Sequence, residues 1–224
     1  MSDAVKTRHI KTWVFDLDNT LYPETSSLFG EINGRMNVYM ADLLDMSVET
    51  ASALRQGFYE RHGTTLNGLM REYDADPYPF LDYVHRVDLS RISPAPRLKS
   101  LLRDLPRCLV HTNGTVAHAT RVLNRLGIAD CFSGIFDIVA SGFQPKPAAP
   151  AFAGFIEAFD TDPATTIMLE DREENLAVPH GLGMKTVWIN HLADSPDGAS
   201  ALPDHAHVHH VSPSAEGFLA DALK

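Results

Sequence analysis

At 224 residues, 44% apolar and 21% charged, the chain is long enough for one domain with a modest insertion and has the make-up of an ordinary globular protein. Its formal charge of −10 argues against a nucleic-acid backbone or an anionic membrane as the main partner. A small anionic substrate is still compatible with it, since one metal ion and one lysine can reverse a local field.

No stretch approaches the roughly 18 apolar residues a spanning helix needs, and the opening MSDAVKTRHIK lacks the apolar core of a signal peptide. A cytoplasmic location is therefore the default expectation. Two cysteines, Cys108 and Cys131, are expected to be reduced and partly buried in such a chain.

The first predicted element is a short buried strand at Trp13, Val14 and Phe15. It ends abruptly in Asp16 and Asp18, with Thr20 two residues further on. A buried carboxylate must be paired or bound to a metal. In open α/β sheets, ligands gather outside the carboxyl ends of the strands, so this strand end reads as a site.

Residues 24–93 are helical in pattern throughout. SSLFGEINGRMNVYMADLLD begins with a serine cap, and SVETASALRQGFYERHG runs from a serine start to a glycine stop. TTLNGLMREYD and DPYPFLDYVHRV predict two shorter helices, and the proline-rich SPAP closes the segment.

From residue 96 onward, helices and strands alternate. PRLKSLLRDL, VAHATRVLNRLGI, APAFAGFIEAF and ENLAVPHGLG predict helices; RCLVHTNG, FDIVAS, TTIMLED and KTVWIN predict strands. Such alternation implies an α/β fold, a parallel sheet with crossover helices. The tail carries His205, His207, His209 and His210 and is expected to end in a short helix. Those histidines read either as soft-metal ligands or as a solvated strand or loop.

Polar groups collect at the strand ends: Asp16 and Asp18; Thr112, Asn113 and Gly114; Lys146; Glu170 and Asp171. In a parallel sheet they converge on one edge. Carboxylates in an oxygen-rich surround suit magnesium, while lysine and hydroxyl donors suit the oxygens of a transferring phosphoryl group. An aspartate can attack phosphorus, and a second acid can protonate the leaving alcohol and then activate water.

The run Asp16-Leu17-Asp18-Asn19-Thr20, a threonine-ended strand, an isolated lysine and a carboxylate pair occur here in the order and spacing of the haloacid dehalogenase (HAD) superfamily, which the chain resembles along almost its whole length. The resemblance implies a Rossmann-like core, residues 1–23 and 94–224, with a small four-helix cap at 24–93. It implies Asp16 as nucleophile and magnesium ligand, and Asp18 as general acid and base with its carbonyl on the metal. Thr112 and the Asn113 backbone N–H would hold a phosphoryl oxygen, and Lys146 would hold Asp16 and that group together. Asp171 would complete the metal site with Glu170 as ligand or support, and Asn175 is a candidate to orient the lysine loop. His111, preceding Thr112, is assigned a structural role because strand neighbours face opposite sides.

Asp18 separates reaction types within the resemblance: dehalogenases lack the second acid and P-type ATPases carry lysine there, so Asp18 implies phosphate ester hydrolysis or a mutase. A mutase usually adds a basic pair in the cap, and His62 and Lys99 are too weakly placed to supply one. DLDNTLYPETSSLFGEINGRMNVYM, FYERHGTTLNGLM, HTNG and RLGIADCFSGIFDI resemble the pyrimidine 5′-nucleotidase branch, implying UMP- or CMP-like substrates. Phosphoglycolate, sugar phosphates, or a regulatory relative that binds phosphoryl groups without hydrolysis are the alternatives. Tyr22, at the expected cap hinge, and Asn67 and Arg71 on the third insertion helix are candidates for touching substrate; each has packing or surface exposure as its competing explanation.

Overall fold

In the computed structural model, which describes residues 7–192 and 206–224, six strands form one parallel sheet. They are β1 (Thr12–Phe15), β2 (Cys108–His111), β3 (Phe132–Phe136), β4 (Thr166–Glu170), β5 (Lys185–Ile189) and β6 (His210–Ser212). The order across the sheet is β3-β2-β1-β4-β5-β6. The three central strands are buried along their whole length, as strands covered on both faces must be. The winding reverses at β1, which lies between β2 and β4 with Phe15 paired to both Val110 and Leu169. This is the topological switch point, where such sheets leave an open crevice.

The chain divides by its internal packing into two units. Thr25–Arg91 forms one, and the described residues up to Glu24 and from Ile92 onward form the other. The Thr25–Arg91 unit holds α1 (Leu28–Leu44), α2 (Val48–His62), α3 (Thr65–Tyr73) and α4 (Pro77–Val84). The sheet unit holds α5 (Pro96–Arg103), α6 (Val116–Leu126), α7 (Ala149–Phe159), α8 (Ala177–Gly181) and α9 (Ala215–Ala222). Among the described residues, no helix is long and apolar enough to cross a membrane.

Period-two alternation sorts the sheet's side chains. Val14, Leu109 and Met168 are register neighbours and join Phe152 and Phe155 of α7 in one buried cluster. On a neighbouring position of β1, Trp13 meets Phe218 of α9 with ring centroids 6.4 Å apart. Both cysteines are free thiols, and burial pushes Cys108 up to about 12.

In the helical unit, Phe58 packs so closely over Gly68 that a β-carbon there would sit 2.2 Å from the ring. Side-chain caps come from Ser47, Thr64 and Asp76. The serine start of α1 differs from the sequence reading. Ser27 is left-handed with φ 57° and makes no capping bond, while Ser26 Oγ accepts from the Leu28 N–H at 3.3 Å.

One strand is displaced from its predicted place: β3 is Phe132–Phe136, and FDIVAS leaves the sheet after its first residue. Asp137 causes the break. Its Oδ1 accepts from Ala140 N–H at 2.8 Å and its backbone carbonyl accepts from Ser141 N–H at 3.1 Å, forming a local turn that competes with the ladder. The histidine tail supplies β6 at the sheet edge, although His205 lies outside the described residues.

Candidate active site

Asp16 is the first residue past β1, and its N–H still donates to the Leu169 carbonyl at 2.9 Å, so the β1–β4 ladder fixes its backbone. The chain then turns sharply: Asn19 adopts the left-handed region with φ 61°, which asparagine tolerates better than most residues. Thr20 turns back and donates to Asp16 Oδ2 at 3.0 Å. His191 braces this loop from β5's far end, with Nε2 2.5 Å from the Asn19 carbonyl and Nδ1 3.1 Å from that of Pro213.

Lys146 is the hub. Its ammonium is buried and donates to Asp16 Oδ1, the His111 carbonyl and Glu170 Oε2, each at 2.7 Å, so all three of its donors are used. Burial alone would lower its pKa, but the charges of Asp16 and Glu170 more than offset this and hold it above the ordinary lysine value. The lysine loop is clasped by the Asn113 side chain, whose Oδ1 accepts from Lys146 N–H at 2.8 Å and whose Nδ2 donates to the Lys146 carbonyl at 3.1 Å.

Asp16, Glu170 and Asp171 bring one carboxylate oxygen each within 4.8 Å of the others. Burial and then the charge of Glu170 push Asp16 up to about 7 and Asp171 up to about 10. One ammonium is not enough for three carboxylates, so without more positive charge the cluster keeps protons. That excess of hard oxygen donors fits a small divalent cation. Glu170 is already engaged on both oxygens, since Oε1 accepts from Arg172 N–H at 3.2 Å.

Asp18 Oδ1 lies 2.7 Å from the Tyr22 hydroxyl, which donates to it, and 2.9 Å from His118 Nε2. Burial, then the charge of Asp18, keeps the Tyr22 phenol protonated well above its usual range. Thr112, buried at the end of β2, donates its N–H to the Phe136 carbonyl at 3.0 Å, and its Oγ1 accepts from Gly114 N–H at 3.0 Å. The His111 ring lies on the core side, stacked at 5.0 Å on Phe155, and burial holds it neutral.

The sheet unit thus gathers Asp16, Asp18, Thr112, Asn113, Lys146, Glu170 and Asp171 at the strand ends. Tyr22, a candidate for touching substrate, is buried with its hydroxyl on Asp18. Asn175 is buried in the short turn after Asp171, and the clasp on the lysine loop is made instead by Asn113. Asn67 and Arg71 lie on α3 of the helical unit, the first buried and the second exposed. His62 and Lys99 are engaged with Glu72 and Asp130, at 2.6 and 2.7 Å. Among the described tail histidines, His207 pairs with Glu173 at 2.7 Å and His209 Nδ1 lies 2.8 Å from Thr186 Oγ1.

The sequence reading passed over His118 and His191. Helical spacing marks His118 only as a first-turn residue of α6, and His191 follows KTVWIN with no motif around it.

A family model of haloacid dehalogenase-like hydrolases matches residues 10–182. Phosphate metabolism protein 8 of Saccharomyces cerevisiae is 28% identical over 193 residues, covering 78% of this chain. The chain spans 60% of that yeast protein's length. Among solved structures, the HAD-hydrolase YfnB of Bacillus subtilis, bound to magnesium, superposes with a TM-score of 0.61 at 17% identity, covering 95% of this chain and 98% of that one. A HAD phosphatase from Thermococcus onnurineus gives a TM-score of 0.59 at 18% identity over 92% and 94% of the two chains. L-2-haloacid dehalogenase from Xanthobacter autotrophicus, carrying covalently bound chloropropionic acid, gives 0.57 at 15% identity over 94% and 97%. These likenesses share the α/β sheet fold. With the family match running from the start of β1 past the Glu170–Asp171 strand end, the chain belongs to the haloacid dehalogenase-like hydrolases.

Proposed function

We propose that the protein is a magnesium-dependent phosphomonoester hydrolase working through an aspartyl-phosphate on Asp16. The observation that carries this reading is Lys146 bridging Asp16 and Glu170 with 2.7 Å contacts, while Asp18, two residues on, is held by its own donors. An ammonium so placed aims Asp16 and favours its ionised form, which burial and Glu170 oppose, and leaves positive charge where phosphoryl oxygens gather.

Asp16 forms the bond to phosphorus as the ester P–O bond breaks, and Asp18 gives its proton to the leaving oxygen. Asp18 then takes a proton from water as that water attacks phosphorus and frees Asp16. Thr112 spends an acceptor site on Gly114 N–H and keeps its hydroxyl hydrogen for a phosphoryl oxygen, joined by the Asn113 backbone N–H. Asp16, Asp171 and the Asp18 carbonyl would hold the metal, with Glu170 supporting through Lys146. Bound there, magnesium supplies positive charge against the phosphoryl oxygens and the clustered carboxylates. The helical unit, 25–91, serves in this reading as the cap that selects substrate, with Asn67 and Arg71 as candidate contacts.

Pyrimidine nucleoside monophosphates are the proposed substrates, supported by the motif likeness through both units; the yeast relative's name points more broadly to phosphate metabolism. The test is phosphate release from UMP, CMP, AMP, GMP, phosphoglycolate, glucose phosphates and an aryl phosphate, with magnesium and with chelator. Preference for UMP and CMP supports the nucleotidase reading. Magnesium-dependent release from other esters keeps the mechanism and removes that substrate. Silence from every ester, with phosphate binding retained, favours the regulatory alternative.

A pH signature accompanies the metal. Asp16 and Asp171 rise from 3.8 to about 7 and about 10, so folding takes up protons that the unfolded chain has released. Their contribution is full below the unfolded value. It is lost as pH rises through about 7 for Asp16 and about 10 for Asp171, so metal-free stability falls along that path. A cation must displace those protons, and its affinity is expected to rise by up to about tenfold per pH unit for each one. Thermal unfolding at several pH values should show a magnesium-induced Tm increase that grows from acid to neutral pH. A flat response would count against the cluster as the metal site.

A further inference from the structure

We propose that His118 and Tyr22 form a two-donor clamp that positions Asp18 for proton transfer, an inference that rests on reading Asp18 as the acid and base of ester hydrolysis. Both groups meet the same oxygen: the Tyr22 hydroxyl lies 2.7 Å and His118 Nε2 2.9 Å from Asp18 Oδ1. With the His118 ring hydrogen on Nε2, Oδ1 accepts two hydrogen bonds and is the wrong oxygen to carry a proton, so the transferable proton rides on Oδ2. The clamp is buried and the acid is not: the His118 side chain is 0% exposed, while that of Asp18 is 13% exposed.

His118 is aimed by its helix. It occupies the first turn of α6, where Thr115 Oγ1 accepts from His118 N–H at 3.2 Å and Asp137 Oδ2 accepts from Val116 N–H at 2.8 Å. These caps fix the rotational phase of the turn and hence the direction of the imidazole. Asp18 sits on a loop and turns about two side-chain bonds, so a fixed orientation has to come from outside, and a small misplacement of a proton donor slows transfer steeply. Tyr22, four residues along the same loop, adds its hydroxyl as the second partner of Asp18 Oδ1.

The proton balance is simple. The Oδ2 proton passes to the leaving oxygen as its bond to phosphorus breaks. The same oxygen then recovers a proton from the water that attacks the phosphoenzyme. Removing the clamp therefore harms esters in proportion to how much their leaving group needs a proton.

The test uses the full chain with magnesium, on phenyl phosphate, whose phenolate needs a proton, and p-nitrophenyl phosphate, whose nitrophenolate leaves without one. In His118→Leu, kcat/KM for phenyl phosphate is expected to fall about 10- to 100-fold, against less than about 3-fold for p-nitrophenyl phosphate. A pre-steady-state burst of nitrophenol should appear in the variant, because water activation also slows. His118→Gln, which returns an N–H near the Nε2 position, should restore phenyl phosphate turnover, and Tyr22→Phe should show the same selectivity without disturbing the packed ring. If His118→Leu does not fold, those two variants carry the comparison.

Equal losses on both esters without a burst, or no loss, overturn the clamp while an inactive Asp18→Asn variant leaves the acid–base reading standing. Turnover of phenyl phosphate by Asp18→Asn overturns both, as does failure of the unaltered protein to hydrolyse either ester.

Discussion

Lys146→Met is expected to cost about 3–5 kcal/mol of folding stability and to remove measurable turnover. Methionine keeps most of the buried stem, so the loss reads the charge and not a cavity. The native ammonium is 1% exposed and gives its three donors to Asp16, the His111 carbonyl and Glu170. Without it, Asp16, Glu170 and Asp171 face one another without the positive charge that holds down the pKa values of Asp16 and Asp171. The carboxyl groups can escape that repulsion only by binding protons, so their pKa values climb beyond the raised native ones. The sign follows: the variant's deficit is largest at neutral pH and shrinks on acidification. Urea unfolding of both proteins at about pH 7.5 and about pH 5, without added metal, measures it. A deficit under about 1 kcal/mol would mean that the lysine is no more than a surface-like ion pair. A deficit independent of pH would assign the loss to packing alone.

What could be read from the chain beforehand depended on locality. An apolar run that ends in Asp16 and Asp18 carries its own signal, because a strand gains nothing from a charge at its buried end. The same holds for TIMLE and Asp171, and the parallel topology then brings β1 and β4 together regardless of the residues between. The alternation of helix and strand was equally local, and the helix over Ala149–Phe159 is where its periodicity puts it. Reading failed where a side chain reverses a local preference. FDIVAS has strand composition, yet Asp137 folds it into a turn and also caps α6.

Reading failed again where two segments meet only through the fold. His118 and Asp18 are 100 residues apart and become neighbours because β2 lies beside β1, which places the start of α6 over the aspartate loop. Nothing around AHAT marks that histidine as different from any other on an apolar helix face. Tyr22 shows the same limit from the other direction: its position after the motif was plain, but whether the ring turned outward or back onto Asp18 was a matter of packing. Asn113 was singled out for its backbone, and its side chain proved to be what joins the β2 end to the lysine loop.

Asp16→Asn is expected to lower turnover by at least about a thousandfold, since the proposed nucleophile is lost while binding groups remain, and to do so without destabilising the fold. The hydrogen bonds survive the change. Asparagine Oδ1 accepts from Lys146 where Asp16 Oδ1 does now, and the new amide donates to Thr20 Oγ1 where the carboxylate accepted. What disappears is one of three mutually repelling carboxylates, and with it the group that burial has pushed up to about 7. Metal-free Asp16→Asn should therefore unfold at the same temperature as the unaltered protein or above it, with the gap widening as pH rises past neutrality. A buried cluster kept only for stability would behave oppositely, losing Tm with any member and leaving nothing to lose in activity. An inactive variant of undiminished stability places the cost of these carboxylates in chemistry. An active one would remove Asp16 from the nucleophile's role and leave the cluster as a metal site alone. Measuring Tm and phosphate release on the same preparation separates the two outcomes.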